Sequence, residues 1–248
     1  MQLLKIFLLS LLPSYQLNQI FEIETDRLME RTANRPLVTG EINKKSAYVY
    51  SVSLGLVGFL VLYTQTTELA AFIALSANIF YSFIYTLVLK PRTNQNIVIG
   101  GAAGAAPVLI GWSATGTNLD TGSWLLFLLV FLWTPAHFWA LSIDKLNDYK
   151  DANFPMLPTQ ESYKRTSIFI GIYSCATVLT SLLLAPILQL GMVYLMLSLI
   201  FGLYLMYKSY QLYRKQIKAI SYFVFSNTYL AVIFLSMVAD IFITLSSI

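Results

Sequence analysis

Seven long apolar runs, at about 47–64, 68–89, 97–112, 123–142, 167–187, 192–207 and 222–246, follow one another with short polar breaks. A helix that crosses a bilayer needs about 20 mostly apolar residues. Most of the runs reach or approach that length, and a shorter eighth stretch lies at about 2–17. Backbone facing lipid must satisfy its own hydrogen bonds, and the period-2 alternation of barrel strands is missing, so the runs read as helices. The expected fold class is all-α: a polytopic membrane protein of about eight transmembrane helices forming one membrane domain, with no soluble module. A chain that is 57% hydrophobic and 11% charged supports this, because a soluble surface carries more charge.

The basic residues fix the orientation. Sixteen Lys and Arg against twelve Asp and Glu give a net charge of +4, for which nucleic acid would be one explanation. Their placement gives a better one. Segments 18–46, 90–96, 143–166 and 208–221 contain every Lys and Arg except Lys5, whereas the alternate connections at 65–67, 113–122 and 188–191 contain none. By the positive-inside rule the first set faces the cytoplasm or an organelle matrix. The lipid bilayer is then the partner and nucleic acid is not. A secretory signal at the amino terminus is disfavoured, because no small-residue cleavage site follows the first apolar stretch. Cys175 is the single cysteine, so no disulfide forms within the chain.

Two of the basic loops also carry acids at helical spacing. In NQIFEIETDRLMERTANRPLVTG, Asn18, Glu22 and Asp26 stand four residues apart, which places them on one face if the preceding helix continues. In DKLNDYKDANFPMLP, Asp144 and Asp148 repeat the interval. Clustered carboxylates need a positive partner, and Mg²⁺ suits this, since it takes one or two carboxylates together with waters and phosphates. Arg27, Arg31, Arg35, Lys90, Arg92 and Lys150 lie close in sequence and could hold diphosphate oxygens. Loops of this polarity carry Lys and Arg in any case, so solvated surface charge is the competing reading.

His137 is the only histidine, inside WTPAHFWALSI. An ionisable group at membrane depth is a candidate for function, but a structural histidine is equally expected. Pro135 should kink this helix and free a carbonyl for His137 or Trp139. The run NIVIGGAAGAAPVLIGW contains Gly100, Gly101, Gly104 and Gly111, which would let helices approach closely or leave the wall of a cavity open. No phosphate loop, metal-thiolate spacing or Ser-His-Asp order is present.

The stretches DRLMERTANRPLVTG, LKPRTNQNIVIGGAAGAAPVLIGW, PAHFWALS and DYKDANFPMLP resemble, in order and spacing, four signatures of the protoheme IX farnesyltransferases (haem O synthases) of the UbiA superfamily of intramembrane prenyltransferases. Nearly the whole chain is covered. The superfamily's NxxxDxxxD and DxxxD motifs resemble Asn18, Glu22 and Asp26, then Asp144 and Asp148, with Glu22 in place of an Asp.

The resemblance implies nine helices around a central cavity. The chain begins within what would be the second, so a truncated amino terminus is expected. It implies farnesyl transfer from farnesyl diphosphate to the vinyl group of protoheme IX with addition of water, with Mg²⁺ as cofactor. Asn18, Glu22, Asp26, Asp144 and Asp148 would hold the metal, Asp26 and Asp148 being essential to catalysis. Arg31, Arg35, Lys90, Arg92 and Lys150 would hold diphosphate, and His137, Trp112 and Trp139 would line the haem side of the cavity. Partners would include haem A synthase or the oxidase assembly machinery. The location would be a bacterial inner membrane, or the mitochondrial inner membrane in a eukaryote. Prenylation of an aromatic quinone or chlorophyll precursor is the nearest alternative. A non-catalytic transporter or assembly factor is the alternative of another class, disfavoured because no internal symmetry of interrupted helices is visible.

Overall fold

The structure is a computed structural model that describes residues 13–30 and 32–246. Seven helices among the described residues are long and apolar enough to cross a membrane: Lys44–Gln65, Glu68–Leu89, Asn96–Ala114, Thr121–Asp144, Tyr163–Ile187, Met192–Tyr213 and Ala219–Ile243. They coincide with the seven apolar runs. Most of the shorter stretch at 2–17 lies outside the described residues, as does Arg31.

The chain divides into two compact units. The first, Met1–Leu119 with Leu146–Thr159, contains α1 (residues 13–21), α2 (Ile23–Leu28), α3 (Pro36–Thr39), α4 (Lys44–Gln65), α5 (Glu68–Ile79) and α6 (Asn96–Ala114). The short helices α8 (Leu146–Asp151) and α9 (Leu157–Gln160) lie in or at the edge of the same unit. Between α5 and α6, residues Phe80–Leu89 continue the α5 span as a π-helix. The second unit, Asp120–Lys145 with Gln160–Ile248, is built from α7 (Thr121–Asp144), α10 (Tyr163–Ile187), α11 (Met192–Tyr213) and α12 (Ala219–Ser246).

Side chains that end the loops also start the helices. Asn43 accepts from the Lys45 N–H at 2.8 Å, Thr67 from the Ala70 N–H at 3.1 Å, and Ser162 from the Arg165 N–H at 3.2 Å. Asp120 and Ser123 form a reciprocal capping box at the start of α7. Each satisfies a donor that a helix N-terminus leaves without an intrahelical partner.

Packing differs from that of a soluble protein in that large apolar side chains lie outside as well as inside, where Leu129, Ile170, Leu184 and Leu212 are fully buried. In the second unit α7 packs on α10 and α12, and α11 on the same two helices. Small polar and aromatic side chains bridge α10 to α12 and to α11. The Ser174 and Tyr222 hydroxyls are 2.6 Å apart, and Tyr229 donates to Ser181 Oγ at 2.8 Å. Tyr194 donates to the Ser181 carbonyl at 2.7 Å. Large apolar side chains such as Leu203, Leu235 and Phe242 point outward and are more than 60% exposed. Lipid is as apolar as leucine, so removal from water does not drive these helices together; close packing and interhelical hydrogen bonds hold them.

The glycines of α6 divide. A Cβ at Gly100 would run into the ring of Tyr85 on the π-helical segment, whereas nothing lies within 4 Å of one at Gly104 or Gly111. Gly100 permits a close helix contact and the other two leave space.

Candidate active site

The acids of the first loop form a stack on α1 and α2. The Glu22 N–H donates to the Asn18 carbonyl at 3.0 Å and the Asp26 N–H to the Glu22 carbonyl at 2.7 Å, so the helical ladder runs on through a bend at Glu22. Asn18, Glu22 and Asp26 therefore share a face as their spacing predicts. All three are buried, at 6%, 8% and 4% exposure, which two unneutralised carboxylates would not tolerate.

Neutralisation comes from two directions. The π-helical segment delivers Lys90, whose Nζ lies 2.5 Å from Glu22 Oε1 and 2.6 Å from Oε2. One step back along the same segment, Thr86 Oγ1 accepts from Asn18 Nδ2 at 3.2 Å and donates to the Tyr81 carbonyl at 2.9 Å. Asn18 and Glu22 thus meet Thr86 and Lys90 rung for rung. Arg35 supplies the second cation, its Nη1 donating to Asp26 Oδ2 at 2.5 Å. Pro36, the first residue of α3, excludes helical geometry from the residue before it. Arg35 is accordingly extended at φ −66°, ψ 141°. Thr32 closes the intervening turn by donating to the Asp26 carbonyl at 2.8 Å.

The segment after α8 supports the first cation. Asn153 takes a left-handed backbone conformation, φ 54°. Beyond it, Phe154 and Met156 pack with Met29, Ile97 and Ala152, and Tyr149 packs against them. The Phe154 ring centroid lies 4.6 Å from Lys90 Nζ, a cation–π contact. Asn96, fully buried at the start of α6, donates to the Lys90 carbonyl at 3.2 Å, while its Oδ1 has no hydrogen-bond partner among the described residues.

The other predicted residues lie elsewhere. Asp148 is half-buried on α8, Arg92 and Lys150 are exposed, and none of the three forms a salt bridge among the described residues. Asp144 ends α7 in the second unit, 3.6 Å from Lys145 Nζ. Trp112, at the far end of α6 from Asn96, donates to the Asn118 carbonyl at 3.3 Å. Trp139 is buried on α7, edge-on to Phe169 and Tyr173 of α10. His137 is also buried on α7, and its Nδ1 is 2.7 Å from Ser226 Oγ on α12. The expectation that His137 or Trp139 would cap the carbonyl freed by Pro135 is corrected: His137 turns to Ser226, and Trp139 Nε1 has no hydrogen-bond partner among the described residues.

Sequence reading missed Thr32, Thr86, Asn96 and Phe154. The interval between Thr86 and Lys90, equal to that between Asn18 and Glu22, was the available signal.

Among the described residues no three His, Cys, Asp or Glu side chains converge as a closed metal cage. Mg²⁺ does not require one, since it retains waters and takes substrate phosphates beside one or two carboxylates. Glu22 and Asp26 are hard oxygen donors of that kind. Arg35 engages only Oδ2 of Asp26, so these two carboxylates fit such an ion.

Comparison with known proteins supplies the kinship. The chain is 42% identical over 226 residues to a protoheme IX farnesyltransferase of Thermus thermophilus, covering 90% of this chain and 37% of that protein. It is 40% identical over 229 residues to the enzyme of that name from Rhodococcus jostii, covering 90% of this chain and 75% of the relative. The chain thus spans little more than a third of the first relative and three quarters of the second. Among solved structures, a UbiA homologue from Aeropyrum pernix superposes with TM-score 0.75 at 18% identity, covering 92% of this chain and 84% of that one. A UbiA homologue from Archaeoglobus fulgidus, bound to DMAPP and Mg²⁺, gives 0.67 at 16% identity, covering 94% and 86%. The model of the UbiA prenyltransferase family matches residues 4–238, and the chain belongs to that family.

Proposed function

We propose that this protein transfers a farnesyl group from farnesyl diphosphate to the vinyl group of protoheme IX, with addition of water. The observation that carries the reading is the buried stack of Asn18, Glu22 and Asp26, in which each acid already faces one cation. Its 40% identity to a protoheme IX farnesyltransferase over most of the chain supports the choice of substrates.

In the proposed chemistry Lys90 and Arg35 act as donors to diphosphate oxygens. Both are held at the stack before substrate arrives, so the donors need little reorganisation. When bound by Glu22, Asp26 and Asp148, Mg²⁺ would supply neutralisation of the charge that develops on the leaving diphosphate. Phe154 holds Lys90 by a cation–π contact, and Thr86 holds Asn18 by a hydrogen bond. The buried placement of the stack excludes bulk water from the group being ionised. Sidedness follows from the basic loops: the acid stack faces the cytoplasm of a bacterium, or the matrix of an organelle.

The test is to express the full chain with haem and farnesyl diphosphate available and analyse extracted haem by mass spectrometry. The expected product is heavier than protoheme IX by farnesyl plus water. An inserted, folded protein that leaves haem unmodified would overturn the proposal, and a prenylated aromatic product instead would reassign the acceptor.

A further inference from the structure

The basic end of α11 and α12 carries charge without a matching acid. Residues 208–221 hold Lys208, Arg214, Lys215 and Lys218 and no Asp or Glu, and none of the four forms a salt bridge among the described residues. Lysines here rest on tyrosine rings instead: Lys164 Nζ is 6.0 Å from the Tyr213 ring centroid, and Lys215 Nζ is 5.0 Å from that of Tyr163. Exposed lysines are ordinary in the basic loops of a membrane protein. Lys208 differs, because it is half-buried and lies between two helices. Its Nζ is 5.5 Å from the Tyr204 ring centroid on α11 and 3.5 Å from Ser221 Oγ on α12.

One turn deeper, the same two helices leave a groove. Ile200, Phe201, Leu203, Tyr204 and Tyr207 of α11 and Phe225 of α12 line a space of about 540 Å³, within the range of pockets that hold small molecules. Residues four apart share a helix face, so Tyr204 leads to Lys208 and Phe225 leads to Ser221. The groove therefore ends at the ammonium. Its aromatic wall is held in place by its own contacts: Phe225 stacks on Phe201 at 6.3 Å and 3° and meets Tyr204 edge-on at 4.7 Å. The Tyr207 hydroxyl accepts from Gln211 Nε2 at 3.0 Å, which leaves its own proton for an acceptor that no described residue supplies.

We propose that this groove takes an acyl chain of an anionic phospholipid, with the headgroup phosphate held by Lys208, the Ser221 hydroxyl and the Tyr207 hydroxyl. From Ile200 to Tyr207 the groove runs about 10 Å along the helix axis, at about 1.5 Å of rise per residue. Lipid chains lie in that direction beside a spanning helix. Apolar walls that lead to a cation match a chain and its headgroup, whereas free phosphate would use the cation and leave the walls bare. Basic pockets between spanning helices are where anionic headgroups bind, and lysine holds phosphate by charge-assisted hydrogen bonds. The charge balance also sets the lipid class. A zwitterionic headgroup brings a cation of its own to a segment with four cations and no acid, and an anionic headgroup brings none. The site lies within the second unit and is independent of the acceptor that the enzyme prenylates.

Native mass spectrometry of the full chain tests this, with phosphatidylglycerol and phosphatidylcholine of the same acyl chains supplied together in detergent. The wild type should retain one phosphatidylglycerol per chain in preference to phosphatidylcholine. Lys208→Gln should weaken that retention about fivefold, the scale of one lysine at an anionic lipid surface, and Lys208→Arg should keep it. Tyr207→Phe, which preserves the ring, should weaken it about two- to tenfold, the range of one hydrogen bond. Lys45→Gln removes the same charge from another basic loop, where Lys45 is exposed, and should change nothing. Equal losses in Lys208→Gln and Lys45→Gln would mean diffuse attraction to the basic loops and overturn the site. Equal retention of the two lipids by the wild type overturns the role of charge. Glycerophosphoglycerol, the headgroup without chains, should not displace the lipid at equal concentration; displacement would remove the groove from the site and overturn the proposal. If Lys208→Gln does not fold, Tyr207→Phe decides, and an unchanged lipid preference in that variant overturns the site.

Discussion

Lys90 contacts both carboxylate oxygens of Glu22, at 2.5 Å and 2.6 Å, from a position 68 residues further along the chain. Both side chains are mostly buried, so neither has enough water to replace the other. Lys90→Met should destabilise the protein by about 3 kcal/mol, as expected when one partner of a buried pair is removed. Adding Glu22→Gln should restore much of that loss by removing the uncompensated charge, but without restoring prenyl transfer. Thermal unfolding in detergent, read beside turnover, checks this; a double variant no more stable than the single one would contradict it.

Asp26→Asn keeps an oxygen for Arg35 but loses the charge that would bind a divalent cation. The variant should insert and fold, at some cost in stability because Arg35 loses its charged partner, while losing prenyl transfer by at least about 10²-fold, the scale for removing one electrostatic stabiliser. Asp148→Asn, which breaks no salt bridge among the described residues, should lose transfer without that cost, with each deficit largest at limiting Mg²⁺. Near-normal turnover at low Mg²⁺ in either variant would remove that carboxylate from the metal site.

Gly100 and Gly104 differ by four residues on α6 and should differ in the sign of their response. Gly100→Ala places a methyl group against the Tyr85 ring and should cost about 1–3 kcal/mol by overpacking. Gly104→Ala meets nothing within 4 Å and should be neutral or stabilising by up to about 1 kcal/mol, the helix preference for alanine over glycine. Melting temperatures of the two variants give the comparison.

Arg92, Lys150 and Lys215 are exposed in loops assigned to one side of the membrane, and Asn118 in a loop assigned to the other. In a background with Cys175 replaced, single cysteines at the first three positions should react with an impermeant reagent only from the cytoplasmic or matrix side. A cysteine at Asn118 should react only from the opposite side. Opposite labelling of Arg92 and Lys150 would overturn the topology.

The helices were legible because membrane burial is written as long apolar runs; the structure starts four of them at Lys44, Glu68, Thr121 and Tyr163, where Asn43, Thr67, Asp120 and Ser162 cap the first turn. The acid stack was legible as well, since Asn18, Glu22 and Asp26 repeat at helical spacing. Its partners were less so. Lys90 and Arg35 could be named as basic residues near acids, but nothing in one sequence pairs Glu22 with Lys90 across 68 residues. The π-helix was invisible, because an apolar run has no pattern that distinguishes it from an α-helix. Phe154 and Met156 belong to the stretch DYKDANFPMLP that resembles the family, but only the structure sets Phe154 against Lys90 and both against Ile97. Ser226 gave no sign at all, being one of many serines in an apolar helix whose meaning depends on what faces it.

The winding of Phe80–Leu89 has a mechanical consequence. A π-helix bonds i to i+5 and so carries more residues per turn than an α-helix, like a spring wound with surplus wire. Thr86 and Lys90 reach Asn18 and Glu22 only while that surplus is retained. Deleting one residue between Phe80 and Tyr85 would let the coil relax toward ordinary α-helical pitch, with every named side chain still present. Each residue of an α-helix turns the side-chain direction by about 100°, so a relaxation of even part of that angle would rotate both rungs off the acid face together. The coil pitch of an apolar segment thus acts as the calibration of a charged site that it does not itself contain.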